Sequence, residues 1–199
     1  MMVLAQSDYP ITVWDTNTKK EITFRYVTYE QDFDRLHSWM HQDHVIPFWN
    51  LDKPRAEYAS HLKRFLANKH QQLLIGEIDG QAMSYWESYI VSQDLIRHYY
   101  DYEKGDQGIH LLIGEPNYLG KGFIYPLMLT LMKRMFEVPE TKRIMAEPDI
   151  RNEKMIYVFE KCGFQQLKTV DLPDKTAMLL YCQQEVFESR WNAWIQGEF

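Results

Sequence analysis

A pair of glycines around a lysine is the first feature of the sequence that could do chemistry. Gly120 and Gly122 flank Lys121 in the stretch NYLGKGF, after an apolar segment typical of a strand and before an apolar run with helical spacing. A Gly-x-Gly turn in that position lets the backbone approach a phosphate, and the helix N-terminus directs free N–H groups at it. Such a pair is also common in a plain turn, so both interpretations stay open here. The stretch lacks the third glycine of a dinucleotide-binding motif and the GK[ST] of a triphosphate loop.

A histidine lies on the predicted strand that leads into this loop. His110 stands in GIHLLIG, and the pKa of a free imidazole is close to neutral pH. Taken alone, it fits a hydrogen-bonded core position as well as a general base. Two carboxylates, Glu147 and Asp149, follow the next predicted strand in AEPDIRN, where Asp149 also fits the N-cap of a helix.

Metal ligation is the less favoured interpretation of the remaining histidines and cysteines. His37, His41 and His44 have helical spacing, but no carboxylate with zinc-enzyme spacing accompanies them. Cys162 and Cys182 lie in patterned segments without zinc spacing, as reduced, buried thiols do. We therefore predict no metal site.

Hydrophobic periodicity predicts the elements that must position these residues. The pattern gives the order βααββ–β–α–β–α–ββ–α, with a hairpin turn at Asp79–Gly80, a helix that tolerates Pro126 in its first turn, and Gly163 as a helix C-cap. We predict one mixed α/β domain over residues 1–199, with a largely antiparallel central sheet flanked by helices. Residues 1–20 are expected to form an N-terminal extension and residues 183–199 a C-terminal helix.

Composition narrows the class of partner. The net charge is −6, which disfavours nucleic acid and favours a cationic small molecule. We expect no membrane association, because the sequence has no apolar window of membrane-spanning length, and MMVLAQSDYP lacks the pattern of a signal peptide. A cytoplasmic location is therefore expected, and the oligomeric state stays open.

Two motifs together resemble the GNAT acyltransferases. NYLGKGF is followed, at the spacing of that family, by AEPDIRNEKMIYVFEKCGF. The segments VIPFWNLDKP, SYWESYIV and GIHLLIG further resemble the GNAT enzymes that acylate N-hydroxylated amines in hydroxamate siderophore synthesis, over residues 25–187. A more distant resemblance is to aminoglycoside 6'-N-acetyltransferases. Asn117 departs from the Gln or Arg that usually opens the family's phosphate motif, which puts one contact in doubt.

The resemblance implies the GNAT fold and acetyl-CoA or another acyl-CoA as co-substrate. The loop Gly120, Lys121, Gly122 and Phe123 would hold the pyrophosphate, together with Asn152 at the next helix start. Backbone N–H groups near Leu112 and Ile113 would polarise the thioester carbonyl. A solvated Lys121 that takes no part is an equally good interpretation.

The resemblance also implies catalytic residues. The tyrosine that protonates the thiolate in many GNAT enzymes is replaced here by Phe159, and Tyr157 falls on another side of the helix. His110 is therefore the expected base, as in the siderophore acyltransferases, with Asp149 as its expected partner and Glu147 as the rival carboxylate.

The acceptor site is expected to involve Trp49, Trp86, Glu87 and Tyr89. Trp86 and Glu87 are adjacent on a strand and face opposite sides of the sheet, so only one of them can line the site. Trp86 fits the core equally well. The Tyr-rich segment 97–106 is expected to form a lid or wall, or to be plain surface packing.

Three functions are consistent with this sequence. They are an acyl-CoA-dependent N-acyltransferase acting on N6-hydroxylysine or an N-hydroxydiamine, an aminoglycoside or polyamine N-acetyltransferase, and a non-catalytic acyl-CoA-binding module. The absence of the usual tyrosine favours the first, because a weakly basic hydroxylamine arrives neutral.

Overall fold

The computed structural model describes residues 9–199 as one eight-stranded sheet with six helices. The strands are β1 (Ile11–Asp15), β2 (Lys20–Tyr26), β3 (Gln71–Ile78), β4 (Gln81–Ile90), β5 (Gln107–Ile113), β6 (Arg143–Ala146), β7 (Gln165–Asp171) and β8 (Thr176–Gln183). The helices are α1 (Tyr29–Met40), α2 (Ile46–Trp49), α3 (Arg55–Leu66), α4 (Ile124–Phe136), α5 (Glu153–Lys161) and α6 (Gln184–Gln196).

The strands follow the order β1-β2-β3-β4-β5-β6-β8-β7 across the sheet. Every neighbouring pair is antiparallel except β5 and β6, which run parallel. The predicted mixed α/β fold with a mostly antiparallel sheet is therefore confirmed. The single parallel pair is formed by the fifth and sixth strands of this order, and it is the place where the sheet opens.

The N-terminal part of the chain contains a strand that the sequence analysis missed. β1 alternates half-buried and exposed side chains along ITVWD and pairs with β2 from Ile11↔Phe24 to Asp15↔Lys20. The predicted extension over residues 1–20 is thus wrong for this segment, whereas residues 1–8 lie outside the described residues. The aromatic loop after α1 also contains an unpredicted short helix, α2.

Local signals explain most of the other element boundaries. At the start of α1 the Asp32 carboxylate accepts a hydrogen bond from the Thr28 backbone N–H at 3.0 Å, which satisfies a free donor of the first turn. Asp79 and Gly80 both have positive φ, at 49° and 74°, as the predicted two-residue hairpin requires. Gly163 has φ 102° just after α5, which confirms it in the C-terminal cap.

Each face of the sheet is covered by its own helices. Helix α4 buries residues such as Leu127 and Met132 with Trp86 on one face, while α1 and α3 bury Leu36 and Leu62 with Tyr85 on the other. Strand β4 therefore sends alternate side chains into two cores.

No helix within residues 9–199 has the length and apolar character needed to cross a membrane. The prediction of a single domain over the whole chain stays a prediction.

Candidate active site

The sheet opens between β5 and β6. These strands pair only at Gln107↔Ile144 and Gly108↔Met145, so β5 has no strand neighbour on that side beyond Gly108. Strand β5 remains paired with β4 as far as Ile113↔Ser84. A groove therefore forms along the second half of β5, bounded on its other side by the segment that follows β6 and by the start of α5.

A cavity of about 830 Å³ occupies this groove. It is lined by the second half of β5, by Gly120 and Gly122, and by Asn152 and the first turns of α5. Lys121 and Phe123 are not among its lining residues, so the structure brings only part of the predicted loop to the cavity.

The two glycines have the backbone that a phosphate cradle needs. Gly120 and Gly122 have φ of 71° and 78°, a region that disfavours residues with a side chain. A Cβ atom added at either position would meet nothing within 4 Å, so no packed neighbour accounts for these glycines. Asn152 accepts a hydrogen bond from the Met155 N–H at 3.2 Å and thereby caps α5 at the edge of the same cavity.

The backbone of β5 presents alternate residues to the groove. The Gly114 N–H bonds to the Met83 carbonyl on the β4 side, whereas the Ile113 carbonyl accepts from His44 at 2.7 Å. Because successive residues of a strand direct their backbone groups to opposite edges, Ile113 and Leu111 face the groove and Leu112 faces β4. The backbone N–H groups of Ile113 and Leu111 therefore face the groove, whereas that of Leu112, an expected donor, faces β4.

A second cavity, of about 310 Å³, adjoins the first and contains His110. The two cavities share five lining residues, which are Phe48, Trp49, Leu111, Asn152 and Met155. A molecule in the groove and a molecule in the second cavity would thus meet beside His110.

His110 is held between two carboxylates. Its Nδ1 lies 2.9 Å from Glu87 Oε2, and its Nε2 makes a short contact with Glu147 Oε1. The hydroxyl of Tyr85 donates to Glu87 at 2.7 Å and that of Tyr89 donates to Glu147 at 2.8 Å. All five side chains therefore form one continuous chain of hydrogen bonds, which we call the His110 network.

Gly108 makes room for this network. A Cβ atom at position 108 would lie 2.0 Å from the ring of Tyr89, so the ring lies directly against the strand backbone. That position lets the Tyr89 hydroxyl reach Glu147 on the far side of β5.

The network shifts the protonation of its members. Burial alone would lower the pKa of His110, but the two carboxylates outweigh it and raise this pKa to about 10. For Glu147 the two effects have the opposite sign: burial alone would raise the pKa of this carboxyl group, but the imidazolium lowers it to about 2. Burial and the adjacent carboxylates hold the pKa values of Tyr85 and Tyr89 well above the usual range. At neutral pH His110 is therefore an imidazolium, Glu147 is ionised, and both tyrosines are protonated.

The expected pairing of His110 with Asp149 is wrong. Asp149 instead binds Arg151 through two side-chain contacts, Nε to Oδ1 at 2.9 Å and Nη2 to Oδ2 at 2.6 Å. It also accepts from the Arg151 backbone N–H at 2.8 Å. The rival carboxylate, Glu147, is the partner because it follows β6 directly, at the point where that strand leaves β5.

The side chains of β4, the strand that bears Glu87, alternate between the smaller cavity and the opposite face of the sheet. Glu87 and Tyr89 line the smaller cavity together with Trp49, as expected. Trp86 does not, because it is fully buried on the opposite face, where its Nε1 donates to the Ser84 hydroxyl at 2.7 Å. The assignment of Trp86 to the acceptor site is therefore wrong.

Several residues of the cavity were missed or left open by the sequence analysis. Phe159 is buried and lines the smaller cavity at the position of the usual tyrosine, while Tyr157 is exposed. Phe48 and Asp94, which line the smaller cavity, and Tyr85, which donates to Glu87, were not identified, because their types and positions in the sequence do not indicate which side chains the fold brings together.

The Tyr-rich segment 97–106 does not form the predicted lid or wall. None of its residues lines either cavity. Tyr100 donates to Asp106 at 2.9 Å, and Asp106 is also paired with Arg143 at the start of β6. The segment is plain packing against the sheet, which was the alternative interpretation.

Two of the three histidines with helical spacing, His37 and His41, belong to an aromatic cluster at the end of α1. His37 lies 4.4 Å from the His41 ring and 5.5 Å from the Tyr58 ring, measured between centroids. Among residues 9–199, no group of three or more His, Cys, Asp or Glu side chains is arranged to hold a metal ion.

Comparison with known proteins identifies the class to which this fold and groove belong. Residues 28–172 match the family described as Acetyltransferase (GNAT) domain. The chain therefore belongs to this family. The protein is an acyl-CoA-dependent acetyltransferase, with acyl-CoA as co-substrate.

Individual relatives extend over most of the chain. It is 36% identical over 167 residues to an N-hydroxyputrescine acetyltransferase of Acinetobacter baumannii, a match that covers 82% of this chain and 78% of the relative. The crystal structure of an uncharacterized protein from Bacillus halodurans superimposes with a TM-score of 0.94 at 54% identity, covering 96% of this chain and 98% of the other. An aminoglycoside acetyltransferase in complex with coenzyme A and kanamycin gives a TM-score of 0.75 at 27% identity, covering 84% and 98% of the two chains.

Proposed function

We propose that this enzyme transfers an acetyl or other acyl group from acyl-CoA to the hydroxylated nitrogen of an N-hydroxydiamine or of N6-hydroxylysine. The product of this reaction is a hydroxamate, and the role of the enzyme is siderophore biosynthesis in the cytoplasm. The proposal is supported by the relative that acts on N-hydroxyputrescine and, more directly, by the state of His110.

The observation that carries the proposal is the double contact of His110. Both of its ring nitrogens are engaged by carboxylates, and its raised pKa keeps the ring protonated at neutral pH. An imidazolium cannot remove a proton from an ammonium group. An alkylamine is largely protonated near neutral pH and needs such a base, whereas a hydroxylamine is much less basic and arrives neutral. The site therefore suits a hydroxylamine better than a plain amine.

The charge of the smaller cavity favours an acceptor with a second, positive group. Five carboxylates line this cavity, and the basic residues beside His110 are Lys175 and His61. Burial lowers the pKa of His61, so this ring adds no charge at neutral pH. The lining attracts the distal ammonium of a diamine and repels the α-carboxylate of hydroxylysine. An N-hydroxydiamine is therefore our preferred acceptor.

Proton transfer is balanced through the His110 network. The acceptor nitrogen bonds to the thioester carbon, the carbon–sulfur bond breaks, and the nitrogen gives up one proton. The departing sulfur receives one proton from the His110 network. The proton released by the acceptor nitrogen then replaces it in the network. The network thus ends the reaction as it began. In the substrate-free enzyme His110 is a proton donor, which revises the expectation of a neutral base.

An acceptor screen tests the proposal. Purified protein would be given acetyl-CoA with N-hydroxyputrescine, N6-hydroxylysine, putrescine, spermidine or kanamycin, and release of free thiol would be followed. We expect the highest kcat/KM with N-hydroxyputrescine and little turnover of its plain amine. Faster turnover of kanamycin than of every hydroxylated amine would instead assign the enzyme to aminoglycosides.

A further inference from the structure

A short segment crosses the groove and is hydrogen-bonded to both of its sides. We call residues 44–49, which end with α2, the strap. At one end His44 Nε2 donates to the Ile113 carbonyl of β5 at 2.7 Å. Near the other end the Pro47 carbonyl accepts from Arg151 Nη2 at 3.1 Å, on the segment between β6 and α5. The strap therefore spans the opening between the two parallel strands.

The strap forms part of the wall of both cavities. Phe48 and Trp49 line both, so they stand where the acyl group and the acceptor meet. The Trp49 ring lies edge-on to His110, with 6.5 Å between centroids, and 5.7 Å from Tyr85. A shift of the strap would thus move the surface against which both substrates are aligned, and misalignment slows a reaction between two bound molecules.

Arg151 can hold the strap only because Asp149 fixes its guanidinium. The side chain of Arg151 is 69% exposed, whereas that of Asp149 is 4% exposed. Asp149 is in turn anchored by an antiparallel bridge to Ala177 of β8. The buried carboxylate therefore orients an exposed cation, and its two-point contact leaves Nη2 directed at the Pro47 carbonyl.

We propose that Asp149 and Arg151 are a positioning pair that fixes the strap across the acyl-CoA groove. Asp149 then acts on the binding and alignment of acyl-CoA through Arg151 and Pro47, and it takes no part in proton transfer. The inference rests on the proposed function only in that the groove must hold acyl-CoA.

The test compares Asp149→Asn, Arg151→Met and the double variant with the wild type. We expect KM for acetyl-CoA to rise about tenfold in each single variant, as for the loss of one hydrogen bond to a charged group. The double variant should be no worse than the singles, because both act through one contact. The pH profile of kcat should keep its shape, since the His110 network is intact. Asp34→Asn, which breaks an exposed ion pair with Arg55 away from both cavities, is the matched control.

A truncated donor separates this proposal from direct phosphate binding by Arg151. S-acetylpantetheine has the thioester arm without the nucleotide phosphates, so the strap effect should persist with it. A KM effect of Arg151→Met that disappears with S-acetylpantetheine would overturn the proposal in favour of a phosphate contact. Additive effects of the two substitutions in the double variant would also overturn the proposal. The same holds if Asp149→Asn changes kcat and its pH profile while Arg151→Met stays close to the wild type.

Binding measurements keep this test independent of the acceptor. Calorimetric Kd values for coenzyme A, taken without acceptor, should rise in both variants by the same factor as KM. If the wild type binds coenzyme A but acylates no hydroxylated amine, the proposed function fails while the strap is still tested. If the wild type is active and the variants match it in Kd, the strap inference fails alone.

Discussion

The proton on His110 can be followed through the stability of the protein. The two carboxylates raise the pKa of this group from 6.5 to about 10, so the folded state binds the proton more tightly than the unfolded state does. The stabilisation is therefore complete below about pH 6.5 and is lost as the pH rises toward about pH 10. A difference of that size corresponds to at most about 5 kcal/mol.

The measurable part of this stabilisation is smaller, because the ring of His110 is 29% exposed and solvent screens the pair. We expect the free energy of unfolding of the wild type to fall by about 2 kcal/mol between about pH 7 and about pH 9. Urea denaturation at both pH values measures this fall. The variant His110→Gln has no proton to lose at this position. Its free energy of unfolding should therefore fall by about 2 kcal/mol less than that of the wild type over the same pH range.

Two outcomes bear on the reasoning. Equal pH dependence in the wild type and in His110→Gln would show that the imidazole is neutral in the folded protein, and the role of proton donor would be lost. Should two buried carboxylates without their cation prevent folding, NMR titration of the wild-type histidines gives the same information. The reasoning would be refuted equally if every imidazole signal titrated near the ordinary pKa of 6.5 and no histidine had a raised pKa.

Three further predictions concern the groove and the network. His110→Gln should lower kcat by roughly 10²- to 10⁴-fold with little change in coenzyme A affinity, because the proposed phosphate loop at Gly120 and Gly122 is separate; near-normal kcat would make His110 a structural residue. Gly120→Val or Gly122→Val should raise the Kd for coenzyme A at least tenfold by calorimetry, since β-branched residues strain a backbone at positive φ; unchanged affinity would reject the cradle. Gly108→Val should lower the free energy of unfolding by about 1–3 kcal/mol in urea denaturation and reduce kcat, because its side chain would displace the Tyr89 ring; a stable, fully active variant would contradict the assigned packing.

The sequence alone predicted the fold where local signals and periodicity agree. The hairpin at Asp79–Gly80 and the C-cap at Gly163 follow from backbone conformations that few residues adopt, so their positions could be read directly. Strand β1 was missed because its pattern is short and its stability depends on pairing with β2, a tertiary effect.

The site was predicted only in part, because its partners are set by where strands diverge. The resemblance to the siderophore acyltransferases implied a carboxylate partner for His110, but Glu147 and Asp149 differ by two residues and only tertiary structure decides which reaches the imidazole. The choice of Glu87 over Trp86 likewise depends on which helices cover each face of β4. The second carboxylate on His110, and with it the protonation state, could not be predicted from any motif.

The most direct measurement of the proposed chemistry identifies the acylated atom. Acylation of the hydroxylated nitrogen gives a hydroxamate, which forms a coloured complex with ferric iron, whereas acylation of the distal amine of the same substrate does not. After complete thiol release from acetyl-CoA with N-hydroxyputrescine, we predict one equivalent of ferric hydroxamate for each thiol released. Thiol release without the ferric colour, with the acyl group found on the distal amine by mass spectrometry, would contradict the proposed function.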